Sequence, residues 1–208
     1  ECRECWIVPK GYKLVGCDAS GLELRMLAHY MNDAEYINQI IDGDIHSYNQ
    51  EMAGLPSRDQ AKTMIYALCY GAGDVKMGTI INGSAAEGKK LKATLFNNIP
   101  SLAELITKIK KASNRGYLKG LDGRKIWVRS EHSAPNFLLQ SAGAIVMKKA
   151  LVLLYNNAKE EKLDFTFVGN IHDEYQTQVL EAHSERFGVL AVEAIINAGV
   201  ALNMNCPL

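Results

Sequence analysis

The spacing of apolar positions along this chain changes period several times, and each change marks an element. Residues 12–17 form a short, apolar, β-compatible run that delivers Asp18 to the small-residue turn Ala19-Ser20-Gly21. Residues 22–30 carry the apolar spacing of an amphipathic helix, with Ser20 as its N-cap and Glu23, three residues on, as the capping-box partner. Helical patterns follow over residues 34–42, 47–53 and 58–70, the last opened by Ser57 and stopped by Gly71-Ala72-Gly73. Residues 74–118 read as further helices, interrupted at Asn82-Gly83-Ser84 and again around Pro100. A hairpin is predicted over 117–128, turning at Leu121-Asp122-Gly123-Arg124. Residues 136–161 then give one long helix with a dense apolar face, the candidate core helix. Two β-rich runs, 165–171 and 175–180, are separated by the acidic tip His172-Asp173-Glu174, and a helix over 184–202 closes the chain.

Composition narrows the class. A chain of 208 residues that is 48% apolar holds one large domain or two lobes sharing a core. No uninterrupted apolar run approaches the roughly 18 residues of a membrane span, and the first residues are unlike a signal peptide, so the expectation is a cytosolic protein with no membrane partner. Five scattered cysteines fit reduced thiols better than a disulfide framework. Cys2 and Cys5 form a lone C-x-x-C without a second ligand pair, which chance spacing explains. Net charge is zero, arguing against a uniformly basic nucleic-acid binder, yet the distribution is uneven. Acidic residues dominate 1–57, whereas 86–130 carries Lys89, Lys90, Lys92, Lys108, Lys110, Lys111, Arg115, Lys119, Arg124, Lys125 and Arg129 against Glu87, Glu104 and Asp122. That stretch is either a polyanion-attracting surface or a solvated helical face.

Two carboxylates, Asp18 and Asp173, end a strand and occupy a hairpin tip. If their strands are neighbours, the side chains converge, and hard oxygen ligands of this kind suit magnesium bound together with substrate phosphates. Within 58–70, Arg58, Lys62 and Tyr66 recur at i, i+4, i+8 on one helix face. Two cations a turn apart can neutralise a polyphosphate and the ring can stack on a sugar or base; alternatively they are solvated cations beside a half-buried Tyr. Asn136 and Gln140, at i, i+4, could read a base edge or simply solvate a helix start. His46, in the acidic-histidine step Asp44-Ile45-His46, means little alone.

Together these residues resemble a known family. The run Asp18-Ala19-Ser20-Gly21-Leu22-Glu23-Leu24-Arg25 is similar to motif A of the family A DNA polymerases. Arg58, Lys62, Tyr66 and Tyr70-Gly71 resemble motif B, and His172-Asp173-Glu174 resembles motif C, in the right order. The likeness covers essentially the whole chain. It is strongest to the replicative polymerases of tailed phages that use thioredoxin as a processivity factor, a group also evoked by the runs Gly120–Arg124 and Leu138–Ala144.

The resemblance implies an α+β fold: an antiparallel palm sheet bearing Asp18 and Asp173, backed by helix 136–161, with a mostly helical fingers lobe inserted. Palm would be 1–45 and 126–208, and fingers 46–125. It implies two Mg2+ ions held by Asp18, Asp173 and the Ala19 carbonyl, with Glu174 grouped at the same site without an assigned role. His46, Arg58 and Lys62 would contact a dNTP triphosphate, with Lys62 the acid for the pyrophosphate leaving group. Glu23 would pack on Tyr66 and block a ribose 2′-hydroxyl, and Tyr66 would permit dideoxynucleotide use. Arg25, Tyr70, His132, Asn136, Gln140 and His172 would lie along primer-template DNA. The implied location is the cytoplasm of a phage-infected bacterium.

Seventeen residues before Asp18 leave no room for thumb or exonuclease domains, so these 208 residues are expected to be a fragment with weak or no activity alone, and to lack the region through which thioredoxin would bind the intact enzyme. The rival readings are a single-subunit RNA polymerase core, against which Glu23 and Tyr66 argue, and a catalytically silent nucleic-acid-binding module.

Overall fold

A computed structural model describes residue 5 and residues 7–208. Cys2 of the C-x-x-C pair lies outside the described residues, while Cys5 is an exposed thiol. The chain forms two compact units, one from residues up to Leu22 together with Gly143–Leu208, the other Glu23–Ala142.

The first unit contains strand β1 (Tyr12–Asp18), and its main sheet is antiparallel with order β1-β5-β4, where β4 is Phe165–Ile171 and β5 is Glu174–Leu180. The central strand β5 alternates strictly: Tyr175, Thr177 and Val179 are buried, while the residues between them are half-buried. A period of two with one covered face is what an antiparallel sheet over a single core requires. That core includes the Phe165, Phe167 and Phe187 rings, with Phe165 and Phe187 5.2 Å apart between centroids. It also takes Met147, Ala150, Leu154 and Ala158 from α8 (Ala134–Glu160), and Leu190, Ala194 and Ala198 from α9 (Ser184–Ala201). The buried Tyr175 hydroxyl donates to the Met147 carbonyl, satisfying a polar group that burial would otherwise make costly. An 18-residue window within residues 131–160 is long and apolar enough to cross a membrane, with mean hydropathy 1.6, but Lys148 and Lys149 stand exposed in the middle of the helix, and α8 is a core helix here.

The Glu23–Ala142 unit is helical. Its elements include most of α1 (Leu22–Met31), then α2 (Ala34–Ile41), α3 (Ile45–Ala53), α4 (Arg58–Cys69), α5 (Asp74–Ile80), α6 (Ala85–Asn98) and α7 (Pro100–Ser113). A two-stranded antiparallel ribbon follows, β2 (Tyr117–Lys119) and β3 (Lys125–Trp127), then a 3-10 turn Glu131–Ser133. Side chains close the helix starts: Asp33 accepts from the Tyr36 N–H, Ser57 from Gln60, and Ser84 forms a full capping box with Glu87. Ala61, Met64, Ile65 and Leu68 of α4 and Leu102, Leu105 and Ile109 of α7 are buried.

The α+β class and antiparallel sheet agree with expectation, and several boundaries shift. The first helix starts at Leu22, after Gly21 in the left-handed region (φ 62°), which leaves Ser20 one residue outside the cap position and Glu23 at the second helical residue rather than the third. Leu22, at that first helical position, is buried. The third helix starts earlier than read, at Ile45, because Asp44 caps it. The acidic tip is shorter too: Glu174 already lies in the ladder, paired with both Ile171 and Asp18, leaving the two-residue turn His172-Asp173 with His172 at φ 59°.

Candidate active site

Asp18 is the last residue of β1, and its position is fixed by a continuous register with β5 running from Tyr12↔Leu180 to Asp18↔Glu174. One step beyond, the Ala19 N–H donates to the Asp173 carbonyl at 2.9 Å. Adjacent antiparallel strands thus bring Asp18, Ala19 and Asp173 to one end of the sheet, although they lie far apart in sequence. Asp18 is exposed and Asp173 half-buried, whereas Ala19 is buried. Burial, then the Asp18 charge beside it, pushes the Cys17 thiol up, so that thiol stays protonated next to the acids. Glu174 points along the strand face: its carboxylate accepts from the Gln176 amide two residues on, which the ladder places on the same side. The donor set of two carboxylates and a main-chain carbonyl fits a hard divalent cation such as Mg2+, whose ligands are oxygens. Exposed His172 sits in the turn itself.

In the helical unit, Arg58 and Lys62 are exposed along α4 and Tyr66 is half-buried a turn further on. Arg58 is not a loose cation. Its Nε and Nη2 donate to the two oxygens of Asp44 at 2.6 and 3.0 Å, and the same carboxylate accepts from the Ser47 hydroxyl at 2.7 Å and the His46 N–H at 3.1 Å. The Arg58 fork, then Ser47, hold the Asp44 carboxyl well below the usual carboxylate range. Asp44 therefore ties the start of α3 to the start of α4. No sequence spacing announces this partner, although an acid at a helix start two residues before His46 is the available signal.

His46 is half-buried, with its ring 6.1 Å from that of Tyr66. Burial lowers its pKa, and Arg58 and Lys62 lower it further, so a neutral imidazole is favoured. Its Nδ1 is buried without a hydrogen-bond partner among the described residues. Three basic groups and a ring thus share one region, the juxtaposition that i, i+4, i+8 spacing plus His46 anticipates.

Gln140, half-buried on α8, joins two other expected positions: its Nε2 donates to Glu23 Oε1 and to the Tyr70 hydroxyl, each at 3.4 Å. Tyr70 is the C-cap of α4. Glu23, expected on Tyr66, is thereby linked to Gln140, while the Tyr66 ring lies beside His46. Gly71 follows with φ 78°, so close to the next segment that a Cβ there would stand 1.9 Å from the His132 carbonyl oxygen. Asn136 lies in the first turn of α8, and Arg25 is half-buried on α1. A cleft of about 300 Å³ beside Gly71–Asp74 is lined by Lys92, Phe96, Lys110 and His132.

Known proteins resemble this chain along most of its length. The model of DNA polymerase family A matches residues 1–208. Over 98% of its length the chain is 39% identical to the DNA-directed DNA polymerase of Escherichia phage Phieco32, covering 39% of that protein. It is 40% identical over 97% of its length to the enzyme of Enterobacteria phage T3, and 42% identical over 82% to that of Escherichia phage T7, covering 32% and 28% of them. The chain thus spans about two-fifths or less of these relatives. Among solved structures it shares the fold of the POL domain of Pol1 from M. smegmatis in complex with DNA primer-template and dNTP, with TM-score 0.89, 24% identity, and coverage of 99% of this chain and 40% of that one. A family match along the whole sequence, joined to acids on neighbouring strands and cations on α4, places this chain in DNA polymerase family A.

Proposed function

We propose that the chain forms the palm and fingers of a template-directed DNA polymerase, adding deoxynucleoside monophosphate to a primer 3′-hydroxyl and releasing pyrophosphate. The observation that carries this reading is the β1–β5 register, which sets Asp18 and Asp173 side by side at one end of the sheet. Asp18, Asp173 and the Ala19 carbonyl are the residues that would hold two Mg2+ ions. When bound, such a pair supplies Lewis-acid stabilisation of the attacking and leaving oxygens of an in-line phosphoryl transfer.

The chain's own side chains do the rest. Arg58 and Lys62 neutralise the triphosphate and the neutral His46 ring helps to orient it, Arg58 arriving pre-oriented by Asp44. As the primer 3′-hydroxyl gives its proton to solvent and its oxygen bonds to the α-phosphorus, the α–β bridging oxygen departs with the electron pair and Lys62 Nζ gives that oxygen a proton. Glu23 fills the space a ribose 2′-hydroxyl would need, and Tyr66 lies along the sugar. Tyr70 stacks at the template position; Arg25, His132, Asn136, Gln140 and His172 line the primer-template. Assigned by these roles, palm comprises 1–45 and 126–208 and fingers 46–125, a division by ligand surface rather than by packing. The relatives' phage context supports action in the cytoplasm of an infected bacterium; thioredoxin as partner of a longer enzyme rests on the sequence resemblance alone.

The test is single-turnover addition of one deoxynucleotide to a primed template by the protein that carries these residues. Asp18→Asn and Asp173→Asn should each remove about 4 kcal/mol of charge stabilisation, roughly a thousandfold in rate. Retention of the wild-type rate by either variant would refute the assignment.

A further inference from the structure

The β2–β3 ribbon carries chemistry that none of these roles uses. Its register pairs Tyr117 with Trp127, Leu118 with Ile126, and Lys119 with Lys125. Alternation puts the aromatic pair and the lysine pair on one face, and the Leu118–Ile126 pair on the other, where Leu118 is buried. The first face is open: Trp127 is 69% exposed, and Lys119 and Lys125 are both exposed. The rings of Tyr117 and Trp127 meet edge-on at 5.7 Å, with Lys125 Nζ 4.9 Å and the Arg115 guanidinium 5.5 Å from the Tyr117 centroid. Arg129 continues the series just beyond β3.

This face is expensive for a hairpin that serves only itself. A large ring stays in water, and two like charges stand directly opposite each other, an arrangement that destabilises a ribbon. The nearby acid does not relieve it, since Asp122 is engaged by Arg124 at 2.6–3.2 Å. Among the described residues, none of Arg115, Lys119, Lys125 and Arg129 forms an ion pair with a carboxylate. A ligand that relieves both costs must present flat faces and regularly spaced negative charge. Unpaired nucleic acid does so: its bases stack on aromatic side chains while cations follow the backbone. A duplex hides its base faces, and a run of acidic residues alone offers charge without rings to stack.

We propose that the β2–β3 ribbon is a stacking platform for single-stranded nucleic acid, with Trp127 taking a base, Tyr117 bracing it edge-on, and Lys119 and Lys125, flanked by Arg115 and Arg129, taking phosphates. The proposal does not depend on the metal-site assignment, since none of the ribbon residues it uses is among those assigned to metal, nucleotide or primer-template.

The test is fluorescence anisotropy with labelled oligo(dT) of about 12 nucleotides, a length within the span that single-strand-binding sites cover. Trp127→Ala should weaken binding about tenfold or more, while Trp127→Phe, which keeps a ring, stays within about threefold. Lys119→Gln with Lys125→Gln removes two phosphate contacts and should lower the slope of log K against log salt by about 1.4. Because this double change removes like-charge repulsion together with the Lys125–Tyr117 cation–π contact, two opposing effects of about 0.5–1 kcal/mol, its melting temperature should move by no more than about 4 °C, which separates lost binding from lost folding. Unchanged affinity in Trp127→Ala, an unchanged salt slope in the double variant, or competition by polyglutamate equal to that by oligo(dT) would each overturn the platform.

Discussion

Replacing Gly71 by alanine tests the tightest backbone approach beside the candidate nucleotide site. Gly71 has φ 78°, and an added Cβ would lie 1.9 Å from the His132 carbonyl oxygen and 2.9 Å from its carbonyl carbon. Gly54, the C-cap of α3, offers a matched control, with φ 66° and nothing within 4 Å of its own Cβ position. Alanine at Gly54 therefore costs only the left-handed backbone, about 1–2 kcal/mol. At Gly71 the same term is joined by a collision with main chain, which cannot rotate away as a side chain would. Overpacking of that kind adds about 1–3 kcal/mol. Urea unfolding followed by far-UV circular dichroism should thus find Gly71→Ala the less stable variant by that difference. For a chain of this size each 1 kcal/mol corresponds to about 2–4 °C in Tm. Because the His132 turn leads into α8, where Gln140 donates to the Tyr70 hydroxyl, nucleotide addition should fall as well. Equal stability loss in the two variants would refute the reasoning, since it would mean the His132 carbonyl does not hold its place.

Two further predictions concern the cationic face. Asp44→Asn keeps a side chain able to cap α3 but loses the charge that Arg58 grips. Since the folded Asp44 pKa is depressed, its contribution is complete above the unfolded value of about 3.9 and fades as pH falls below it. The wild-type advantage in urea midpoint should therefore shrink from about pH 5 downward, and parallel wild-type and Asp44→Asn profiles would refute the pairing. Tyr66→Phe should restore discrimination against dideoxynucleotides, because the Tyr hydroxyl can supply the polar contact that a missing 3′-hydroxyl would have made; equal dideoxy incorporation by both forms removes that role.

Local pattern alone determined the elements that carry the chemistry. An apolar run ending in Asp18, Ser57 ahead of α4, the acidic hairpin tip and the long helix behind the sheet were all legible, because strand alternation, helix period and caps are written within a few residues. So was the shared face of Arg58, Lys62 and Tyr66, which depends only on 3.6 residues per turn. Tertiary structure decided what those patterns meet. The β1–β5 register put Asp18 opposite Glu174 and drew that residue into the strand, and only the partner strand could count that ladder. The helix after Asp18 begins at Leu22, behind Gly21 in the left-handed region, a boundary that the Ser20–Glu23 spacing alone places one residue too early. The grip of Asp44 on Arg58 and the contact of Gly71 with the His132 carbonyl join segments that no period connects. Sequence names the groups because they are properties of residues; their partners are properties of packing, set when distant segments exclude water together.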